Sequence, residues 1–531
     1  VTDLEPGREL EQELRDERAR RRAAESRIEE LTERADLWKK RAEERSERIT
    51  RILEDQRAKG SPLWPLRRLF SKRDQGEVIP ATVERRQTAA GYTPTSAPRP
   101  SHQWPSVKSV VSVSLAVDPG ITRCLSSFDD TDLTRATSED LDRADLVVID
   151  PEALAQAPAE IQKRLAIWSR EVGRQRLLWW TSGSAPDPTL IRPGDVTVAN
   201  SAETAHQHGL RYLPGCLDPA LHRPDPEAHR GGSSVIEGGR DRLSSPPLPM
   251  IEAAASGVGF DTSPGAGTAA RRWAYRHHSP WVRAHQLLNL VGLRAAQPIP
   301  RVAAILVSHR PEFLPAAINA VLRQTHLLTE LVVGVHGASP TAEIDAILTS
   351  ASIPIEMIEL DRAFTLGECL NLAISKTSAP ILAKIDDDDH YGPAHIEDSF
   401  HTLAYSGADV VGKGAHYTYV ASRDSTILRR PGLEETYVEG SPNGATLVFH
   451  RKAWDQVGFP HRPRHVDTGF LRAAREMGAQ VYVGSRWEFC YVRNPEGHTW
   501  ETEDEVFLAG SEPSWEGFHP ERVEVPDVEP D

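Results

Sequence analysis

Hydrophobic and polar positions alternate with two distinct periods in the C-terminal half of this chain. The runs VAAILVS (302–308), ELVVGVHG (330–337), IPIEMIEL (353–360) and APILAKID (379–386) are short and apolar, and they predict buried strands. Between them PEFLPAAINAVLRQ (311–324), PTAEIDAILTS (340–350) and TLGECLNLAISKT (365–377) place apolar residues three and four apart, the spacing of a helix with one buried face. Strands and helices of this length in alternation predict an α/β fold whose mostly parallel sheet is covered on both faces. A weaker version of the pattern runs from Val110 to about Gly292. There SVVSVSLAV, ADLVVID, RLLWWTS and DVTVAN predict strands, and residues 158–172 a helix. RRWAYRHHSPWVRAHQLLNLVG (271–292) predicts a closing helix that Pro280 kinks or splits.

The N-terminal pattern is different again. A 4-3 spacing runs through Leu10, Leu14, Ala24, Ile28, Leu31, Ala35, Trp38, Ala42, Ile49 and Ile52, which is heptad periodicity and implies a coiled coil that makes the protein a homo-oligomer. Glu17, Arg21 and Arg45 interrupt the seam, and a single solvated helix is the alternative reading. GSPLWPLRRLFSKRDQ then interleaves Trp64, Leu66, Leu69 and Phe70 with Arg67, Arg68, Lys72 and Arg73. Such a mix suits peripheral contact with an anionic membrane, or a linker packed on its own protein. Residues 74–108, rich in Pro, Thr, Ser and Ala, read as a tether. The expected organisation is a coiled-coil helix (1–57), a basic patch and linker (58–108), a smaller α/β module (109–296), a larger α/β domain (297–511) and an acidic tail (512–531).

Composition narrows the function classes. A net charge of −15 over 531 residues argues against a nucleic-acid partner, which requires a basic face. The four cysteines, Cys124, Cys216, Cys369 and Cys490, are too dispersed for a zinc ribbon or a disulfide framework and fit reduced thiols. The polar N-terminus and the absence of any run near ~18 apolar residues lead to the expectation of a cytoplasmic location.

The chemistry concentrates in AKIDDDDHYG (383–392), where four consecutive aspartates follow an apolar run. Crowded carboxylates repel one another unless a cation or a ring of donors compensates. Ligands of open parallel sheets sit at the carboxyl ends of strands, which is where this cluster falls. Taken alone, the cluster is equally an acidic, solvated turn.

Its surroundings decide between these readings. ILVSHRPEFLPAAINAVLRQT (305–325), LGECLNLAISKTSAPILAKIDDDD (366–389), NGATLVFHRKAWDQVGF (443–459) and HVDTGFLRAAREMGAQVY (465–482) occur in an order that resembles the family 2 glycosyltransferases of the GT-A fold, from about Val302 to Trp500. The resemblance implies an inverting sugar transfer from a nucleotide-sugar donor to a glycan or lipid-linked glycan of the cell envelope. It implies Mn2+ or Mg2+ as cofactor, because a departing diphosphate needs a hard cation held by carboxylates.

By the same resemblance Asp388 ligates the metal, Asp386 faces the ribose or the metal, and His498 is a third ligand or else a surface histidine. Asp467 is the catalytic base, although a helix-capping aspartate would look the same. Ser308, Arg310, Asn371 and Lys384 contact the donor, with Lys384 paired to the diphosphate or to a neighbouring aspartate. Asp387 is structural and Asp389 lies behind the ligands. Trp500 stacks on a sugar of the acceptor or packs ordinarily.

Two departures from the family pattern stand out. Val335, His336 and Gly337 replace acidic residues that often read the base, and Gly469 replaces a second acid near Asp467. Upstream, GLRYLPGCLDPALHRP (209–224) and PLPMIEAAASGVGF (247–260) weakly resemble GT-B glycosyltransferases through Glu252, Ala253, Ala255 and Gly257. Too few residues separate Pro226 from Arg271 for a second lobe, so the smaller module is expected to be non-catalytic, with Glu252 in a helix N-terminal turn rather than on a ligand. The rival to an active enzyme is a catalytically inactive, glycosyltransferase-like scaffold.

Overall fold

A computed structural model of the chain describes most residues from 107 to 214, scattered positions from 216 to 246, and then 248–293, 301–325, 330–494, 508 and 510–528. The heptad region, the basic patch and the tether up to residue 106 lie outside the described residues, as do Cys124, His498 and Trp500.

The smaller module is built on six strands: β1 (Val107–Leu115), β2 (Phe128–Asp132), β3 (Leu146–Ile149), β4 (Gln175–Trp180), β5 (Val196–Ala199) and β6 (Arg211–Tyr212). They form one sheet in the order 2-1-3-4-5-6, parallel throughout. β3 and β4 are almost wholly buried because α1 (Ser138–Arg143), α2 (Pro151–Gln156), α3 (Ala159–Trp168) and α4 (Ala202–His208) accompany them, as continuous apolar strands require. The edge strands β2 and β6 escaped the sequence pattern: one is FDDTD and the other has two residues, so neither carries an apolar run.

Three further helices follow, α5 (Leu248–Ala255), α6 (Ala266–His278) and α7 (Pro280–Leu290). Extended Ser279 and Pro280 in the first turn of α7 split the expected closing helix in two. α5 and α6 do not simply close the smaller module. Ile251, Ala254, Ala270, Trp273 and Tyr275 share a core with Val302, Leu306 and Val333 of the larger domain, whereas Leu287 and Leu288 of α7 pack under β3 and β4. Glu252 lies in the second turn of α5 rather than in its N-terminal turn, so the expectation of an N-terminal acid is corrected.

The larger domain opens with β7 (Val302–Ser308), α8 (Leu314–Leu322), β8 (Glu330–His336), α9 (Ala342–Ser350), β9 (Ile355–Leu360), α10 (Leu366–Ile374) and β10 (Ile381–Ile385), each where the periodicity puts it. It continues through β11 (His390–Tyr391), α11 (His395–Ser406), β12 (Val410–Lys413), β13 (His416–Val420), β14 (Ser425–Arg429) and β15 (Thr436–Tyr437). β16 (Val448–His450), α12 (Arg451–Val457), α13 (Val466–Glu476), β17 (Val481–Gly484), β18 (Phe489–Arg493) and β19 (Glu512–Glu516) complete it. Eight strands make a mixed sheet in the order 15-17-12-16-10-7-8-9, in which β10, β7, β8 and β9 run parallel. A second sheet has the order 11-18-13-14-19. The whole is the mixed α/β architecture expected of a GT-A-type domain.

The acidic tail is a correction. β19 pairs antiparallel with β14, and Val523 and Val525 beyond it are buried, so residues 512–528 are part of the fold. Alternating Glu with Pro, Trp and Val hid this, because a strand that buries one face on a small sheet carries few apolar residues.

Candidate active site

β7 and β10 are parallel neighbours with Ile385 opposite Leu306, so the residues that follow them emerge side by side on one rim. Two residues on, Asp387 meets Ser308, whose hydroxyl donates to its carboxylate. The Ser308 oxygen in turn accepts the Arg310 backbone N–H at 2.8 Å. Arg310 donates its Nε to Asp387 at 3.1 Å and its Nη2 to Asp388 at 2.8 Å, with its guanidinium 4.7 Å from the centre of the Phe313 ring. The β7 turn therefore holds two of the four aspartates through one arginine. Asp387 has the structural part expected of it, and Ser308 and Arg310 are engaged with carboxylates.

Lys384 stands between two of the carboxylates. Its buried ammonium donates to Asp386 Oδ1 at 2.5 Å and to the Gly444 carbonyl at 3.2 Å, and lies 3.5 Å from Asp467 Oδ1. Burial alone would lower the pKa of this lysine, but the two carboxylates more than offset that and hold it charged. One cation thus joins Asp386 at the end of β10 to Asp467 on α13, residues 81 positions apart in sequence.

Asp467 is in the first turn of α13, and the capping position is His465, in the left-handed region at φ 59°, so Asp467 is not the cap. Its side chain is 26% exposed. Burial pushes its carboxyl up to about 6, with Lys384 pulling it down and Asp386 pushing further up. Gly444 makes room for it, because a Cβ there would lie 2.3 Å from Asp467 Oδ2. Gly469 has a packing reason as well, since its Cβ would lie 2.6 Å from the Pro460 ring.

Burial raises Asp388 above the ordinary carboxylate range; the Arg310 hydrogen bond opposes this and Asp386 adds to it. Asp389 is raised further by burial and by Asp388 and Asp386. One of its oxygens accepts the Val492 N–H at 2.9 Å, and the other is buried without a hydrogen-bond partner. Tyr391 was missed by sequence reasoning, although it stands directly after the aspartates. Its hydroxyl accepts the Asp386 N–H at 2.9 Å and donates to the Ala445 carbonyl at 2.8 Å, which ties the aspartate turn to the segment carrying Gly444.

Asn371 does not belong to this site. Its amide donates to the Phe459 carbonyl at 2.8 Å and accepts from Trp454 Nε1 at 2.8 Å and the Phe459 N–H at 2.9 Å. These bonds clasp α10 to Trp454 of α12 and to Phe459 beyond it, which gives Asn371 a structural role where a donor contact was expected. His336, at the carboxyl end of β8, is close enough to His309 and Asp361 to feel both, and burial lowers its pKa.

Among the described residues no group of three or more His, Cys, Asp and Glu side chains forms a ready cage for a metal. The donor set fits a different kind of site. Mg2+-type ions are commonly held by one or two carboxylates together with substrate phosphates, and Asp386 and Asp388 stand on one rim with surplus carboxylate oxygens beside them.

The family model described as glycosyl transferase family 2 matches residues 303–454. No curated protein sequence matches the chain. Among solved structures, S. aureus TarS 1-349 in complex with UDP-GlcNAc is similar at 15% identity and a TM-score of 0.32, over 39% of this chain and 63% of that one. The mannosyltransferase PcManGT from Pyrobaculum calidifontis, in complex with GDP-Man and Mn2+, is similar at 15% identity and a TM-score of 0.31, over 38% and 58%. The chain thus spans less than two thirds of the length of either structure. The segment that matches the glycosyl transferase family 2 model, residues 303–454, carries β7, the aspartate turn and Gly444.

Proposed function

We propose that this domain transfers a sugar from a nucleotide-sugar donor, with inversion, to a glycan or lipid-linked glycan acceptor in a divalent-cation-dependent reaction. One observation carries the reading: Lys384 lies between Asp386 and Asp467, so the aspartate turn and the candidate base stand beside one another across one buried ammonium. Asp386 and Asp388 would hold Mn2+ or Mg2+, which supplies charge neutralisation for the diphosphate when bound.

Ionised Asp467 accepts the proton of the acceptor hydroxyl as that oxygen bonds to the anomeric carbon from the face opposite the diphosphate. The bond from that carbon to the phosphate oxygen breaks, and its electron pair leaves with the nucleoside diphosphate. Lys384 keeps Asp467 ionised near neutrality and fixes its direction. His336 replaces an acid on the side of the rim where the nucleotide base would lie, and the base identity is left to experiment. The heptad region would make the protein a homo-oligomer, and the basic patch would bring a cytoplasmic enzyme to the inner face of the membrane.

The test is a thermal-shift screen of UDP-, GDP-, dTDP- and CDP-sugars with and without Mn2+, followed by turnover assays with the best ligand. Asp388→Ala is expected to abolish the Mn2+-dependent shift. Asp467→Asn is expected to keep the shift and lose roughly 10²–10⁴-fold in turnover. A native protein that binds donor with Mn2+ but neither transfers nor hydrolyses it would instead be the inactive scaffold.

A further inference from the structure

Away from the candidate transferase site, a cavity of about 540 Å³ lies where the end of β6 meets α6 and α7. Cavities of this size suit small organic ligands. Its described lining contains no aspartate or glutamate, in a chain with 77 acidic residues. It does contain Arg283, His277, His278, Gln286 and Asn289, beside an apolar wall that includes Trp273 and Leu213.

The polar groups are preorganised. Arg283, buried on α7, donates Nη1 to Gln286 Oε1 at 2.5 Å and Nη2 to His278 Nδ1 at 2.6 Å. A guanidinium can only donate, so Nδ1 is the acceptor and the neutral His278 ring carries its proton on Nε2. Burial, with Arg283 beside it, drives the His278 pKa down to about 2, in keeping with a neutral ring. Nε2 is itself buried and has no hydrogen-bond partner among the described residues. An orphaned N–H in a residue 7% exposed leaves an unfilled demand for an acceptor oxygen.

We propose that this cavity binds a small ring compound bearing a phosphate or a carboxylate, with the anion on Arg283 and the Nε2 proton of His278 and the ring on the apolar wall. Such a ligand is a sugar phosphate, a nucleoside monophosphate or a uronic acid. The smaller module would then be a ligand-binding module coupled to the larger domain through α6.

Calorimetric titration of the full chain in EDTA, with UMP, glucose 1-phosphate, glucuronate, inorganic phosphate and uncharged uridine as separate probes, tests this. At least one ring anion is expected to bind, more than tenfold tighter than inorganic phosphate or uridine. Gln286→Glu keeps the hydrogen bond to Arg283 but fills the site with a carboxylate. It is expected to leave the melting temperature unchanged or higher and to weaken binding at least tenfold, with Arg283→Gln acting in the same direction. Asp388→Ala is expected to leave this binding untouched. The proposal is overturned if no ring anion binds, if inorganic phosphate binds equally well, if folded Gln286→Glu binds normally, or if Asp388→Ala removes the binding.

Discussion

At the scale of single residues, the site is a charge arrangement around one buried lysine. Lys384 faces Asp386, Asp467 and the Gly444 carbonyl, and its charge is what keeps Asp467 from rising further. A base with a pKa of about 6 is ionised above that value, so turnover should fall as pH drops through about 6. Lys384→Met removes the lowering influence, so the acid limb of the pH profile of kcat/KM is expected to move to higher pH and turnover at pH 7 to fall. A pH–rate series on the two proteins checks it, and an unmoved limb would mean that Asp467 is not the titrating base. The four aspartates, Asp467 and Lys384 were all legible in the sequence as candidates. Which carboxylate each cation touches was not, because ion pairs depend on distances that the chain sets only by folding.

At the scale of elements, local chemistry explains why the site's supports form where they do. Thr365 and Glu368 make a reciprocal cap at the start of α10, with the Thr365 N–H donating to Glu368 at 2.7 Å, and TLGE announces this in sequence. β7 reads as an apolar run ending in Ser308, and β10 as one broken only by Lys384, because helices cover both sheet faces, and β9 is less buried because it is an edge. Asn371 was misread because a buried polar residue on a helix beside a site looks the same whether it binds a ligand or fastens a loop. Its three hydrogen bonds fasten α10 to Trp454 and Phe459. Asn371→Leu would leave three buried polar groups without partners, and a stability loss of about 2–4 kcal/mol is expected in denaturant titration. Donor affinity of the folded fraction should be unchanged, which a donor-binding residue would not allow.

At the scale of the whole molecule, α6 ties itself to the larger domain with two buried arginines, Arg271 and Arg272, and the half-buried Arg276. Arg271 pairs with Glu435 at 2.8 Å, and Arg276 pairs with Glu397 at 2.7 Å. Arg272 pairs with Asp398 and Glu488, each at 2.8 Å, and donates to the Val525 carbonyl at 2.8 Å. This single side chain joins α6, α11, β18 and the segment after β19. Removing one partner of a buried pair strands the others, so Arg272→Met is expected to cost about 3–5 kcal/mol and to lower the melting temperature of the transferase domain itself. Unchanged melting would show that the helix pair folds independently of that domain. Among the described residues no helix is long and apolar enough to cross a membrane.

The sequence by itself determined the elements from β7 to β10, the α/β class and the carboxylates that crowd at the end of β10, because periodicity and strand-end chemistry are local properties of the chain. Only the tertiary structure decided that Lys384 bridges Asp386 and Asp467, that Asn371 is a fastener, that residues 512–528 belong to the fold, and that α6 serves the larger domain's core. Each of these joins residues far apart in sequence. Such pairings follow from how sheets and helices pack, and no single stretch of the chain encodes them.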